Sequence, residues 1–278
     1  MPELIEVEYY RRLAEHACGR VVEAVDAHDA WFLKRGTTEA ALQGALVGRA
    51  PITARRVGKL LILDFGPIVS ADARGSSASV SAGSEGPTLG LRFGMTGRLL
   101  LDGVAGVEHL EYGSARDEPA WDRFALRFAD GGILRLRDPR RLGGIELDPD
   151  EGRLGSDALL VGRGTLRRLL IGSSAPLKAR LMDQARLAGV GNLICDETLW
   201  RAGLDPARTA GSLSDAEVRR LHRHLRTTVA ELLERGGSHT GDLHQARVRG
   251  AVCPRDGTPL ERRTIGGRTT YSCPQHQH

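Results

Sequence analysis

The chain of 278 residues carries 39 lysine and arginine residues against 35 aspartate and glutamate residues, a formal net charge of +4. It is long enough to bury a large hydrophobic core and to form more than one domain. Because no apolar run has the length of a transmembrane helix and the amino terminus is charged, we expect neither a membrane protein nor a signal peptide, and we place the protein in the cytoplasm.

Arginine carries nearly all of the positive charge. The chain contains only three lysines, Lys34, Lys59 and Lys178. Arginine suits two-point contacts with phosphate, although a preference for arginine throughout a chain also follows from genome composition. Where lysine is this rare, we interpret the three that remain as candidates for roles that arginine cannot fill.

The amino-terminal half is predicted to be one helix followed by strands. Apolar residues from Leu4 to Ala17 recur at helical spacing and indicate an amphipathic helix that ends near Gly19. Strands are predicted at 21–25, 52–57, 60–65, 89–93, 97–101, 124–128 and 133–137. Residues 70–86, rich in Ser, Gly and Ala, are predicted to form a mobile loop. Successive strands after one helix indicate an antiparallel sandwich or barrel.

The composition then becomes helical. A helix is predicted over 175–188, with a break at Gly189-Val-Gly191 and a second short helix over 192–202. Ser214-Asp-Ala-Glu217 is a capping box that opens a long helix ended by Gly236. The fold class is therefore predicted to be α+β, with an N-terminal helix and β-sandwich, a helical domain and a C-terminal β-hairpin.

The carboxyl-terminal segment contains two spaced pairs of potential metal ligands. They are Cys253-x-x-Asp256 and Cys273-x-x-His276, with 16 residues between them. This spacing matches a four-ligand zinc hairpin in which two cysteines are replaced, and zinc accepts sulfur, nitrogen and oxygen donors. We predict one structural zinc ion. The alternatives are His278 or water in the place of Asp256, or a hairpin without metal.

Pro2 is a candidate nucleophile. A small second residue normally allows removal of the initiator methionine, which leaves a secondary amine; the pKa of an α-amino group is about 7.7–8.0. The start of a helix adds positive partial charge and favours the neutral amine further. A neutral amine can attack a carbonyl carbon and form a Schiff base, with Glu3 beside it as acid or base. Proline at position 2 is common, so the other motifs must decide.

Four motifs follow one another along nearly the whole chain. They are Met1-Pro-Glu-Leu-Ile-Glu-Val-Glu8, Asp138-Pro-Arg-Arg-Leu-Gly143, the turn from Asp183 to Asn192 with Glu197 after it, and the carboxyl-terminal ligand array. Together they resemble the formamidopyrimidine-DNA glycosylase/endonuclease VIII family of base-excision enzymes. The resemblance implies a catalytic β-sandwich domain over 1–150, a helix-two-turn-helix DNA-binding domain over 151–240 and a zinc-finger-like hairpin over 241–278.

The resemblance implies catalytic roles for three residues. Pro2 would attack C1′ of the damaged nucleotide, expel the base and form an imine, and Glu3 would handle protons at the sugar. Lys59 would contact phosphate near the lesion; the alternative is an ordinary surface lysine. Glu6 would support the amino terminus.

Six further residues match DNA contacts of the family. Met95, Arg140 and Leu142 would fill the space left by the flipped nucleotide, since chemistry on a base requires its removal from the stack. Leu142 stands where the family has phenylalanine, which implies looser recognition of the opposite base. For Met95, core packing is the alternative.

Three residues of the second half are predicted to contact phosphates. Asn192 would do so with neighbouring backbone N–H groups, because a helix N-terminus attracts anions; a plain N-cap is the alternative. Lys178 would contact a phosphate or be a solvated helix residue. Arg268, at the hairpin, would enter the minor groove.

The expected function is that of a base-excision repair DNA glycosylase with abasic-site lyase activity. The segment 237–252 is shorter than in purine-lesion members, so oxidised pyrimidines, ring-opened purines or abasic sites are better expected substrates than 8-oxoguanine. The alternative is a non-catalytic binder of damaged or structured DNA. The expected partner is double-stranded DNA, bound by a monomer in the bacterial nucleoid.

Overall fold

The structure is a computed structural model that describes residues 2–68, 86–111, 113–114, 116 and 118–278. Apart from Gly86, the predicted loop over 70–86 lies outside the described residues. The chain forms two compact units: Pro2 groups with Glu6–Glu151, and Glu3–Ile5 groups with Gly152–His278. Among the described residues, no helix combines the length and apolar character needed to cross a bilayer. The three-domain division stays a prediction.

The first unit is built mainly of antiparallel strands. Its helices and strands are α1 (Leu4–Glu15, with its first residues grouped with the second unit), β1 (Val22–Asp26), α2 (Glu39–Leu46), β2 (Arg49–Val57), β3 (Leu60–Ile68), β4 (Thr88–Arg92), β5 (Arg98–Leu101), β6 (Val104–Ala105), β7 (Asp122–Phe128), β8 (Ile133–Arg137) and β9 (Gly144–Leu147).

These strands form two sheets. One has the order β1-β7-β8-β5-β6 and the other the order β2-β3-β4-β9, with antiparallel pairing throughout. The β2–β3 hairpin turns at Gly58 and Lys59, where Val57 pairs with Leu60. The predicted antiparallel sandwich and α+β class are confirmed.

The core of the first unit lies between its two sheets. Strand β3 contributes Leu61, Leu63 and Phe65 from alternate positions, and β8 contributes Leu134 and Leu136. Alternation places these side chains on one face of each strand. Burying each of them stabilises the fold by roughly 1.5–3 kcal/mol. Helix α1 packs its apolar face onto the same core.

The second unit is mainly helical. Its helices and strands are β10 (Ser156–Asp157), α3 (Arg163–Leu170), α4 (Leu177–Leu181), β11 (Leu187–Ala188), α5 (Asn192–Ala202), α6 (Asp215–Arg235), β12 (Glu261–Ile265) and β13 (Arg268–Ser272). Helix α6 begins at the predicted capping box of Ser214 and Glu217 and ends at Gly236, which has a φ of +96°. Strands β12 and β13 form the predicted hairpin.

The helix predicted over 175–188 is wrong in its length. Only Leu177–Leu181 is α-helical. Asp183 ends the helix because its side chain accepts a hydrogen bond from the N–H of Ala185 and competes with helical bonding. The Gln184 side chain then bonds the backbone of Gly189 and Val190, which turns the chain toward α5.

Candidate functional site

Glu3 is buried and binds the start of helix α5. Its two carboxylate oxygens accept hydrogen bonds from the backbone N–H groups of Leu193, at 2.8 Å, and Ile194, at 3.1 Å. The N-cap of α5 is Gly191, which has no capping side chain. Glu3 therefore binds donors that a helix N-terminus leaves open, and the positive end of the helix stabilises the carboxylate.

Two glycines allow this contact. A Cβ on Gly191 would lie 2.1 Å from Cδ of Glu3. Gly189 has a φ of +110°, and its carbonyl oxygen accepts a hydrogen bond from the N–H of Leu4 at 3.1 Å. Three hydrogen bonds thus fix Glu3 and Leu4, the residues that directly follow Pro2.

The prediction for Asn192 needs two corrections. Asn192 is the first residue of α5 and not its N-cap. The N–H groups of Leu193 and Ile194 do not point at a phosphate, because Glu3 accepts both. The Asn192 side chain donates from Nδ2 to the carbonyl oxygen of Thr269 at 3.1 Å. A phosphate contact of Asn192 itself stays a prediction.

Lys59 lies in a turn that α1 supports. Arg56 donates from Nε to Glu8 of α1 at 3.2 Å and from Nη1 to the carbonyl oxygen of Gly58 at 2.9 Å. Burial raises the pKa of Glu8, but hydrogen bonds and charges from two arginines, Arg56 among them, outweigh this effect and hold the pKa below its ordinary value. The half-buried Lys59 follows Gly58 directly, and Pro2 is buried ahead of α1.

Tyr10 connects α1 to the turn that carries Met95. Its hydroxyl donates to the carbonyl oxygen of Gly97 at 3.0 Å, and its ring centroid lies 4.4 Å from that of Phe93. Burial, and then the charge of the buried Glu6, raises the pKa of Tyr10 well above its ordinary value. The hydroxyl therefore stays a donor, and the half-buried Met95 is held between two fixed residues.

Asp138 joins the Met95 turn to the turn that carries Arg140 and Leu142. Its buried carboxylate accepts a hydrogen bond from Oγ1 of Thr96 at 2.5 Å and from two backbone N–H groups of its own turn at 2.8 and 3.2 Å. Arg140 is exposed, and Leu142 is 51% exposed. The structure thus brings all three predicted insertion residues onto two adjoining turns.

Lys178 is fully buried, so the alternative of a solvated helix residue is wrong. Its Nζ atom lies 2.6 Å from Oδ1 of Asp196, 2.8 Å from Oγ1 of Thr270 and 3.3 Å from the carbonyl oxygen of Thr269. The second carboxylate oxygen of Asp196 pairs with Arg247. Lys178 therefore has acceptors for its three N–H bonds and attaches strand β13 to helices α4 and α5.

Arg268 is exposed at the turn of the β12–β13 hairpin. The turn consists of Gly266 and Gly267, whose φ angles of +57° and +72° favour glycine. A Cβ on Gly266 would lie 3.0 Å from Cβ of Ala179 in α4, so the turn packs closely on that helix. The predicted minor-groove arginine therefore extends from an anchored turn.

The four predicted metal ligands form one cluster. The ligand atoms of Cys253, Asp256, Cys273 and His276 all lie within 4.8 Å of one another. The Sγ atom of Cys253 is 3.8 Å from Nδ1 of His276, and that of Cys273 is 3.3 Å from Oδ2 of Asp256. Ligands at zinc bond lengths of about 2.0–2.3 Å lie roughly 3–4 Å apart. The separations here, from 2.8 Å between Nδ1 of His276 and Oδ2 of Asp256 to at most 4.8 Å, bracket that range, so the four residues could hold a zinc ion.

Contacts around the cluster orient its ligands. The carbonyl oxygen of Trp200 lies 3.3 Å from Nε2 of His276, and Oδ2 of Asp256 lies 2.8 Å from Nδ1. With a metal ion at the cluster, Nδ1 would be the ligand atom and Nε2 would donate to the carbonyl. The Trp200 indole N–H lies 3.3 Å from Sγ of Cys253. His278, the predicted alternative ligand, is exposed and accepts a backbone hydrogen bond from Asp205.

The comparisons with known proteins agree with this architecture. The family model of the formamidopyrimidine-DNA glycosylase N-terminal domain matches residues 1–145, and that of the H2TH domain matches residues 161–243. The formamidopyrimidine-DNA glycosylase of Nocardia farcinica is 31% identical over 305 residues, covering 100% of this chain and 98% of the relative. That of Thermus thermophilus is 39% identical over 203 residues, covering 63% and 76%.

Solved structures share the fold. A complex between the Lactococcus lactis Fpg and an abasic site containing DNA matches with a TM-score of 0.77 at 24% identity, over 100% of both chains. A complex of the same bacterium's Fpg with an oxidized pyrimidine containing DNA gives a TM-score of 0.78. The predicted family is confirmed: the chain belongs to the formamidopyrimidine-DNA glycosylase family of base-excision repair enzymes.

Proposed function

We propose that this chain removes damaged bases from double-stranded DNA and then cleaves the abasic site, with the Pro2 amine as the nucleophile. The observation that carries the proposal is the anchoring of the residues next to Pro2. Glu3 is held by the N–H groups of Leu193 and Ile194, and Leu4 by Gly189. A fixed amino terminus lowers the entropy that the amine loses when it attacks.

The reaction follows from the chemistry of a secondary amine. The nitrogen lone pair of Pro2 forms a bond to C1′, the bond from C1′ to the base breaks, and the base leaves with that electron pair and takes up a proton. The nitrogen then loses its proton, and its recovered lone pair opens the C1′–O4′ bond, which gives an iminium ion between Pro2 and C1′ while O4′ takes up a proton. We assign proton transfer at the sugar to Glu3. Loss of a proton from C2′ then expels the 3′-phosphate, and water releases Pro2.

Exposed and half-buried residues of both units provide the proposed DNA contacts. Met95, Arg140 and Leu142 extend from two turns joined by Asp138, and we assign them the space that the flipped nucleotide leaves. We assign phosphate contacts to Lys59, Asn192 and Arg268. Lys178 acts on DNA binding through the hairpin that it anchors, because its own ammonium group is fully buried.

Zinc is proposed as a structural ion. Cys253, Asp256, Cys273 and His276 would hold it, and it would fix the hairpin that carries Arg268.

The substrate is proposed to be an oxidised pyrimidine, a ring-opened purine or an abasic site. The segment after α6 is short, and its residues Asp242 and Leu243 are bound through their N–H groups by Glu197.

Borohydride trapping tests the proposal. Reduction of the iminium ion should join the protein covalently to DNA that contains an abasic site, and Pro2→Gly should reduce the yield sharply. Ala207→Gly, in a loop of the second unit, is the control variant and should give the wild-type yield of adduct. If correctly processed wild-type protein gives no adduct, the lyase mechanism is wrong. Lesion binding without cleavage in both wild type and Pro2→Gly would instead establish the non-catalytic binder.

A further inference from the structure

Trp31 is an exposed aromatic side chain near the turn that carries Arg140 and Leu142, here called the insertion turn. It is 70% exposed, whereas Trp200 is 6% exposed and Trp121 is half-buried. Leu142 is 51% exposed. Large apolar side chains that face solvent in a soluble enzyme are candidates for contact with a partner, most strongly where several occur together.

The loop that carries Trp31 is fixed by backbone pairing to strand β9, which directly follows the insertion turn. The N–H of Lys34 donates to the carbonyl oxygen of Ile145 at 2.8 Å, and the N–H of Ile145 donates to that of Phe32 at 3.0 Å. The buried ring of Phe32 packs closely against Gly143, because a Cβ on that glycine would lie 3.1 Å from the Cζ atom of Phe32. Leu33 and Ile145 are parallel partners in this pairing; Trp31 lies two residues before Leu33, and Leu142 lies three residues before Ile145.

An ion pair joins the same two segments. Arg141 donates from Nη2 to Oδ1 of Asp29 at 2.5 Å, and Arg123 lies 3.8 Å from the other carboxylate oxygen. Asp29 and Arg141 also border a cleft of about 780 Å³, so the ion pair is at an accessible surface. The segments that carry Trp31 and Leu142 are thus connected twice, by the backbone pairing and by the ion pair.

Lys34 adds a positive charge at the indole. Its Nζ atom lies 5.3 Å from the centroid of the Trp31 ring and donates to the carbonyl oxygen of Trp31 at 2.6 Å. An ammonium group at this distance interacts with the π-system and steadies the ring. Lys34 is one of only three lysines in the chain. An exposed indole with an ammonium group at its ring, in a segment joined to the turn of Leu142, has the composition of a surface that stacks on nucleobases.

We propose that Trp31 stacks on an unpaired nucleobase at the damaged site and supplies the aromatic contact that Leu142 cannot make. A leucine can separate two bases, but it has no π-face for stacking, whereas indole stacks on any base. The proposal rests on the proposed function, in which the turn of Arg140 and Leu142 enters the duplex. Trp31 is thereby a residue that determines affinity for the damaged site.

Binding to a duplex with a stable tetrahydrofuran abasic analogue tests the proposal. Trp31→Ala should weaken this binding by roughly 5- to 150-fold, the range expected for loss of one stacked base, and Trp31→Phe should restore most of it. Leu160→Ala, at a residue 76% exposed in the second unit, is the control and should bind as wild type. A 2-aminopurine placed opposite the analogue should be quenched by wild type and much less by Trp31→Ala.

A double-variant cycle tests the relation to Leu142. Leu142→Phe should reduce the effect of Trp31→Ala, because a second aromatic ring replaces the lost one and the two changes are then not additive. The proposal is overturned if Trp31→Ala binds the damaged duplex as tightly as wild type, or if its affinity for undamaged duplex falls by the same factor. The melting temperature of Trp31→Ala should match that of wild type, which separates lost stacking from unfolding.

Failure of the inference is distinguishable from failure of the proposed function. If wild type gives the borohydride adduct while Trp31→Ala binds the analogue as tightly as wild type, the stacking role is wrong and the Pro2 mechanism stands. If wild type gives no adduct but Trp31→Ala loses affinity only for the damaged duplex, the stacking role stands and the lyase mechanism is wrong.

Discussion

The carboxylate of Glu3 occupies the space that a side chain on Gly191 would need. A Cβ at that glycine would lie 2.1 Å from Cδ and 2.4 Å from Oε1 of the glutamate. The first turn of helix α5 and the amino-terminal segment therefore fit together only because position 191 has no side chain. A side chain at position 191 would therefore displace Glu3.

Gly191→Ala should displace Glu3 and break its hydrogen bonds to Leu193 and Ile194. Because buried hydrogen bonds to a charged group contribute about 1.5–3 kcal/mol each, we expect a loss of roughly 2–5 kcal/mol in the free energy of unfolding, measured with urea. The yield of the Pro2 adduct should fall as well. Gly44→Ala is the control, since a Cβ there meets nothing within 4 Å; this helical substitution should stabilise the protein slightly. Wild-type stability of Gly191→Ala would contradict the prediction.

Asp196→Asn should destabilise the protein more than Lys178→Met. The carboxylate of Asp196 pairs with both Lys178 and Arg247, so its loss leaves two cations without their partner, whereas loss of Lys178 leaves the Asp196–Arg247 pair. Breaking a buried pair costs about 3–5 kcal/mol. Urea unfolding of the two variants gives the comparison.

Arg167→Met provides the matched control for the buried pair. Arg167 pairs with Asp215, but both side chains are at least half exposed. Exposed ion pairs contribute about 0–1 kcal/mol, so this variant should unfold close to wild type. If Asp196→Asn also unfolds with wild-type free energy, the network does not hold the hairpin.

Glu217 should make the free energy of unfolding depend on pH. A hydrogen bond from Arg208 is the main reason that the pKa of Glu217 falls from 4.5 to about 2. Because the folded-state pKa is lower than the unfolded-state pKa, the group stabilises the fold above pH 4.5, and this contribution disappears as the pH falls toward 2. Melting temperatures between pH 7 and pH 3 should therefore fall less steeply for Glu217→Gln than for wild type. Glu234→Gln, at an exposed position of the same helix, should retain the wild-type slope.

Metal analysis should find about one zinc ion per chain of purified protein. Cys273→Ser should lose the ion, whereas Cys18→Ser, outside the cluster, should keep it. Because the ion would hold the hairpin, its removal by a chelator should weaken DNA binding before it alters the chemistry of Pro2. A metal-free protein whose hairpin and DNA affinity are unchanged would rule out the structural role.

Local sequence patterns predicted the elements that have strong local signals. Helix α5 has the predicted bounds of 192–202, and the capping box at Ser214 opens α6 as expected. Helices α2 and α3 have weaker signals, because each has eight residues and only two buried apolar side chains; only α2 has an N-cap side chain, that of Thr38. Their formation depends on tertiary packing, which a short window of sequence does not contain.

The types of residue in the candidate site were predictable from the sequence, but their hydrogen-bond and ion-pair partners were not. Glu3 binds N–H groups 190 and 191 residues away, and no local pattern links such positions. The burial of Lys178 did have a signal. Asp196 lies in a helix with many apolar positions, so a buried aspartate required a cation, and the structure supplies two, Lys178 and Arg247.

The bond between Glu3 and Leu193 also has a consequence for the newly made protein. The two residues are separated by 190 positions, which a ribosome adding 5–20 residues per second takes roughly 10–40 s to translate. During that interval the amino-terminal segment has no helix end to bind. Glu3, which directly follows Pro2, therefore meets its hydrogen-bond partners only after helix α5 has been synthesised, so that the segment carrying the proposed nucleophile and most of the proposed DNA contacts are completed together.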